Sequence, residues 1–403
     1  MRDSYKCILC RGGRNLCGKD FCPVVMKNRV YARALPMLTE ELHGSTPPGI
    51  FVGRYGYPKV YIGPLLPPYV GDTSQLDTPE LWYGKSIEDI VGFRTSLVRG
   101  EYPARVDDIE QRSVREIREL ALAEGSFDIH ARFSKRPNMK IILDDNSQLF
   151  GPSAPIERLE MPNFRANGLI ERVYGDTDLK AAPGVIELYE RGALISQIEK
   201  AFSAGLVGHR RKLVPTRWGI TAVDDTISKT LREEIKGYET VDRFLVHRLD
   251  ALDNRWQILL TPTTWRYELI EAWYPKTLWN QYSSGIEIFG DHEFYEGRRD
   301  YADIGGCYYA SRLAVTEHLR AMRRQAGAVV MREAHPGYVL PVGVWNVREH
   351  VRRAMTTEPR EFDTLEQALT HVSQHFDIPL NKWISTSAVI KDMREQRRID
   401  DFL

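Results

Sequence analysis

The run DRFLVHRLDALDNRWQILLTP, residues 242–262, constrains the fold most. Two strand-like pieces rich in Phe, Leu, Val, Trp and Ile flank a polar turn, which predicts an antiparallel hairpin. WRYELIEAWYP and GIEIFG follow it and extend the predicted sheet. FDIHARFS, KIILDD, VVMREA and YVLPVGVW also read as strands, and IFVGR and KVYIG as short β pieces among the Pro and Gly of residues 36–85. Helical spacing recurs at Val114, Ile117 and Ala121 (108–124, where Ser113 with Glu116 resembles a capping box) and at Leu188, Ile195, Ile198 and Phe202 (184–204). It returns at Val315, Leu319 and Met322 (308–325) and at Leu365, Leu369, Val372 and Phe376 (363–376). No internal repeat is visible. Strands and helices interleave without the regular alternation of a doubly wound sheet, so the expected class is mixed α/β, of the α+β kind.

A chain of 403 residues, 42% apolar and 27% charged, can bury a large core. No apolar run approaches the roughly 20 residues that span a bilayer. The start, MRDSYKC, has no apolar signal region, so a cytoplasmic protein is expected. The net charge is zero, which argues against a surface wholly devoted to nucleic acid. The charge is uneven, however. Residues 1–35 hold eight Lys and Arg against two Asp, a basic head suited to touching phosphates. The expected organisation is an N-terminal segment at 1–35, a mixed-sheet body at 36–376 with room for a subdomain break near 205–240, and a polar tail at 377–403.

Four of the five cysteines lie in CILCRGGRNLCGKDFC: Cys7, Cys10, Cys17 and Cys22. Four thiolates at these spacings suit one tetrahedral ion with no open position, hence a structural zinc, and Gly12, Gly13 and Gly18 permit the turns. An iron–sulfur cluster is the alternative. So small a loop would fold only with its metal. Cys307 reads as a small buried hydrophobe.

Three stretches concentrate Gly, Arg and acids. The first is FVGRYGYP with Arg54, followed by GDT with Asp72. The second is HRRKLVPTRWGITAVDDTIS, with Lys212, Arg217, Asp224 and Asp225. The third is EGRRDYADIGGCYYASR, with Arg298 and Arg312. Backbone N–H groups near glycine and the Arg fork suit phosphate, so a nucleotide is a candidate ligand. For each single residue, a turn, an N-cap or a surface ion pair is the simpler reading, Asp224 or Asp225 serving as the cap. Mg²⁺ is a candidate at Asp72, Asp77 and Glu80. P-loop, nucleophile-elbow and zincin motifs are absent, so no reaction is assigned. Trp265, Tyr267, Trp273 and Trp279 fit core packing better than base stacking, and His247 a strand position.

In QRRIDDFL, Gln396, Ile399 and the pair Phe402–Leu403 gather on one side of a short turn. Eight residues do not hold a helix alone, so such a plug orders on a partner. The spacing resembles the box that docks replication and repair proteins on the ring-shaped sliding clamp (PCNA), with Leu403 replacing an aromatic residue.

Taken together, CILCRGGRNLCGKDFCP, GIFVGRYGYPKVYIGPLLPP, GDT, GPSAP, RKLVPTRWGITAVDDTIS, IEAWYP, RRDYADIGGCYYASRLAV, LPVGVWNVRE and the terminal box resemble the archaeal Nre family of DNA-repair proteins over nearly the full length. The resemblance implies a role in DNA repair and a sliding-clamp partner; it supplies no reaction. The expectation is a repair factor brought to the clamp by its tail, with the zinc-stapled head on DNA and other repair proteins as further candidate partners. The alternative is an enzyme processing a nucleotide or nucleic acid in an Arg/Gly/Asp cleft.

Overall fold

The computed structural model describes residues 38–138, 151–277, 280, 283–338 and 342–395, together with Leu9, Cys10, Leu16, Cys22, Val25 and Ala32. KIILDD, Trp279, Cys7, Cys17 and the whole of QRRIDDFL lie outside these residues. The chain divides into two compact units, one of residues 24–227 and one of 1–23 with 228–403. The division falls inside a single helix, Thr216–Ile235.

The 24–227 unit is built on six strands: β1 (Glu41–Thr46), β2 (Ile50–Val52), β3 (Lys59–Leu66), β4 (Val98–Arg105), β5 (Phe127–Phe133) and β6 (Ser153–Glu160). They run in the order β1-β5-β6-β4-β3-β2, antiparallel except for the parallel pair β4 and β6. With them, among the described residues, go α1 (Ile87–Ser96), α2 (Arg112–Ala121), α3 (Gly168–Gly175), α4 (Ala181–Glu190) and α5 (Ile195–Ser203). The helix Thr216–Ile235, α6, begins in this unit. Helix α1 opens on a reciprocal cap in which Ser86 Oγ accepts from Asp89 N, while Ser86 N donates to Asp89 Oδ2 at 3.1 Å. The cap expected at Ser113 is not formed, because α2 starts one residue earlier and Ser113 lies inside it. The single helix expected over 184–204 is two, since Gly192 adopts φ +83° between α4 and α5, a conformation that no continuing helix tolerates.

The second unit carries β7 (Phe244–Ala251), β8 (Asn254–Thr261), β9 (Arg266–Trp273), β10 (Glu287–Glu293), β11 (Gly327–Ala334) and β12 (Arg360–Phe362), in the order β10-β9-β11-β8-β7-β12. The expected hairpin is β7–β8, with Ala251 opposite Asn254, and Leu252 and Asp253 at positive φ in the turn. Helices cover both faces of this sheet, which is why β11 is buried at every position. On one face, Val329, Met331, Leu259 and Ile270 pack against Leu369, Val372, Trp383, Val389 and Ile390. These belong to α9 (Leu365–Ser373), α10 (Leu380–Thr386) and α11 (Ala388–Glu395). On the other face lie α7 (Gly306–Met322) and α8 (Trp345–Met355), with Tyr267 Oη donating to Tyr308 O and the Trp256 ring 6.3 Å from His350.

Two expectations change here. The end of YVLPVGVW opens a helix at Trp345, because Val347, Val351 and Ala354 bury at helical spacing. The stretch after 376 carries two helices, α10 and α11, as far as Glu395: Glu268 on β9 accepts from Ala388 N at 2.7 Å and Val389 N at 3.3 Å and so caps α11.

Candidate nucleic-acid interface

In the 24–227 unit the first two Gly/Arg stretches meet. The turn between β2 and β3 requires glycine twice. Gly56 has φ +81°, and a Cβ at Gly53 would stand 2.9 Å from Tyr61 O. Gly53 N donates to Tyr61 O at 2.8 Å and Lys59 N to Gly56 O at 2.9 Å, closing the turn. This turn is laced to the second stretch through the backbone. Val106 N donates to Pro58 O at 3.0 Å, and Leu213 N donates to Val106 O at 2.8 Å. Val52 N donates to Thr216 Oγ1 at 2.9 Å, holding the start of α6 beside the end of β2. Gly219 lets α6 close on α5, since a Cβ there would meet Ser203 Oγ at 2.3 Å.

The result is that Tyr57 and Trp218 touch, their ring centroids 5.1 Å apart and their planes tilted by 54°. Both remain open to water, as do their neighbours: Tyr55 is 74% exposed, Tyr57 44%, Tyr61 56% and Trp218 45%. Residues 53–59 and 209–218 hold six Lys and Arg and no carboxylate. Arg54 lies over the Tyr55 ring at 5.0 Å. Lys212 and Arg217 are exposed and form no ion pair among the described residues. Arg211 is engaged: it donates to Tyr174 O and lies 4.2 Å over the Tyr174 ring. The carboxylate of Asp107, just past β4, is gripped by Arg105 through two 3.0 Å hydrogen bonds, which hold it below the usual carboxylate range. Bare aromatic faces among unneutralised cations suit stacked bases and phosphates.

The remaining predicted residues have other surroundings. Asp72 is exposed and accepts from Ser74, whose hydroxyl and N–H lower its pKa. Asp77 pairs with Arg94 and, at 3.1 Å, with Lys200; Glu80 accepts from Ser196 N at 2.8 Å. Each carboxylate of the suggested Mg²⁺ trio thus serves a separate contact. Asp224 is fully buried and Asp225 half-buried, and both lie within α6. Neither caps that helix, which starts eight residues before Asp224, at Thr216 beside Pro215.

The third stretch lies in the second unit. Arg312 is fully buried on α7, bonded to Glu293 at 2.7 Å and Ser228 Oγ at 3.1 Å. Arg298 pairs with Asp291 at 2.9 Å and stacks 4.7 Å from the Tyr308 ring. Burial alone would lower its pKa, but Asp291 and Tyr308 outweigh it and raise it. Trp265, Tyr267 and Trp273 are buried, and His247 is a buried β7 residue beside His318. Cys10 is buried and Cys22 half-buried. Glu333, His335 and Asp377 gather three potential ligand atoms within 4.8 Å. Arg255 already stands there, 2.6 Å from Asp377 and 3.9 Å from Glu333.

Sequence reasoning missed the four exposed aromatic residues. Their signal is present in GRYGYPKVY and TRW, where rings alternate with Gly, Pro and cations.

The fold and this face define a two-unit α+β protein with an open, basic, aromatic patch. The profile described as "Archaeal Nre, N-terminal" matches residues 16–280 and "Archaeal Nre, C-terminal" residues 293–402; the chain belongs to the archaeal Nre family. It is 44% identical over 398 residues to the DNA repair protein NreB of Archaeoglobus fulgidus, covering 98% of this chain and 100% of that one. It is 37% identical to NreA of the same organism (93% and 94% covered) and 36% identical to NreA of Haloferax volcanii (85% and 84% covered), both named DNA repair proteins. No solved structure matches it. No helix among the described residues is long and apolar enough to cross a membrane.

Proposed function

We propose that this protein is a DNA-repair factor that meets DNA through the face formed by residues 53–59 and 209–218 and is brought to the replication sliding clamp by QRRIDDFL. The observation that carries the reading is the convergence of two cation-rich, carboxylate-free segments around the Tyr57–Trp218 pair. The names of the relatives supply the DNA-repair context. In this reading Cys7, Cys10, Cys17 and Cys22 hold a structural zinc, and the basic head of residues 1–35 adds phosphate contacts. Gln396, Ile399, Phe402 and Leu403 form the clamp plug. A nucleotide-processing cleft built on Arg312 gains no support, because that guanidinium is bonded to Glu293 and fully buried.

Two measurements test the reading. Affinity of the full chain for DNA should fall steeply as salt rises from 50 to 200 mM, on the order of 10³-fold if about six phosphates are neutralised. Absence of binding at low salt removes the DNA part. Deleting residues 396–403 should abolish capture by the clamp and leave the melting temperature unchanged; undiminished capture removes the recruitment part.

A further inference from the structure

We infer that the Tyr57–Trp218 face is a base-stacking platform for single-stranded DNA, not a duplex-binding surface; the inference rests on the DNA-contacting reading above and specifies its substrate. The argument begins with what the fold does not need. A Trp and three Tyr side chains left largely open to water forgo the burial that usually accounts for such residues. Tyr57 and Trp218 meet at a 54° tilt, and each still keeps nearly half of its surface open to water. The backbone below is fixed, by the Val52 N–Thr216 Oγ1 bond, by the Pro58–Val106–Leu213 ladder and by the glycine turn at Gly56. The backbone that carries the rings is therefore tied to the scaffold.

Charge then selects the occupant. Arg54, Lys59, Arg210, Lys212 and Arg217 belong to the two segments that meet at the Tyr57–Trp218 pair and have no carboxylate partner among the described residues. On the adjoining β4–α2 turn, Asp107 is neutralised by Arg105, and Asp108 and Glu110 subtract two charges. An apolar protein partner would find nothing to neutralise these cations, whereas a polynucleotide brings phosphates at regular spacing. Duplex DNA satisfies the cations and leaves the rings idle, because its base faces are already stacked on one another. Only an unpaired base offers a free face to Tyr57 or Trp218 while its flanking phosphates reach Arg54, Lys212 and Arg217. The arrangement tolerates any sequence, since every base has such a face.

The test uses the full chain with labelled oligothymidine and a blunt duplex of equal length, read by fluorescence anisotropy at low salt. Oligothymidine should bind more tightly than the duplex. Trp218→Ala should weaken oligothymidine binding on the order of tenfold and leave duplex binding and the melting temperature unchanged. Trp218→Phe should restore most of the loss, and Tyr57→Ala should reproduce it. Equal affinity for both DNAs with Trp218→Ala harmless overturns the stacking platform and leaves the DNA-contacting reading standing. Failure to bind either DNA overturns both.

Discussion

Arg217 and Trp218 sit in the first turn of α6 with both side chains in water, whereas Arg332 on β11 lies buried under three rings. Its guanidinium carbon is 4.9 Å from Trp256, 4.9 Å from Trp273 and 5.0 Å from Tyr338. Arg332 also donates to Glu271 Oε1 and Asn254 Oδ1, each at 2.8 Å. The residue types are the same and the surroundings opposite. A guanidinium taken out of water must be matched by a carboxylate, a polar acceptor and π faces, or the unit does not fold. A guanidinium left in water needs none of these. The cations around Trp218 are thus not required by the fold, and that freedom marks them as available to a ligand.

The contrast breaks first, and with the largest effect, at the buried arginines. Arg312→Ala takes from buried Glu293 its 2.7 Å partner, leaving Arg232 at 3.3 Å and Trp265 Nε1 at 3.0 Å, and empties a fully buried site. Destabilisation of about 3–5 kcal/mol is expected, read as a lowered denaturant midpoint. Substitution without loss of stability would mean that Arg232 alone satisfies Glu293 and that the interior tolerates the emptied site, and the distinction between the two regions would fail.

The interior also responds to pH. His318 on α7 meets His247 on β7 with ring centroids 5.2 Å apart. Burial, reinforced by the charge of His247, pushes the His318 pKa down to about 4, and burial lowers that of His247. In the unfolded chain both return to about 6.5. Between these values the unfolded state binds protons that the folded state refuses, so stability is complete above about pH 6.5 and falls as pH drops towards 4. For His318 alone the full loss is about 3 kcal/mol. His318→Phe should flatten the dependence of the melting temperature on pH between 7 and 5; an unchanged slope would assign the acid sensitivity to other groups.

These regions were unequally legible. The β7–β8 hairpin and α7 follow from local period and turn chemistry, so their residues announce them. The helices at 380–395 do not, because few apolar residues hold them. Trp383, Val389 and Ile390 fill the sheet face, and the cap of α11 is supplied by Glu268, more than a hundred residues away. YVLPVGVW misleads because Val and Trp favour strands until tertiary burial at helical spacing overrides them. At the candidate site the charges were legible as charges: Arg54, Lys212 and Arg217 lie on the exposed face and Arg312 does not. No pattern in the sequence separates Arg217 from Arg312, since both stand among Gly, Thr or Ser and aromatic residues. Burial, which depends on strands distant in sequence, decides between them.

The finest probe of the comparison is therefore the counterpart of Arg312→Ala on the open face. Arg217→Gln keeps a good helix former in the first turn of α6 and removes a side chain that forms no ion pair among the described residues. Its effect on stability should stay within about 0.5 kcal/mol. Its effect on DNA should appear as one phosphate contact fewer: the slope of log affinity against log salt should become shallower by about 0.7 for a single strand, uniformly across sequences. A slope that does not change would place Arg217 off the DNA path while leaving Trp218 to be judged by its own substitution. A melting temperature lowered as far as that of Arg312→Ala would show that the open face is structural after all, and that exposure does not separate the two arginines.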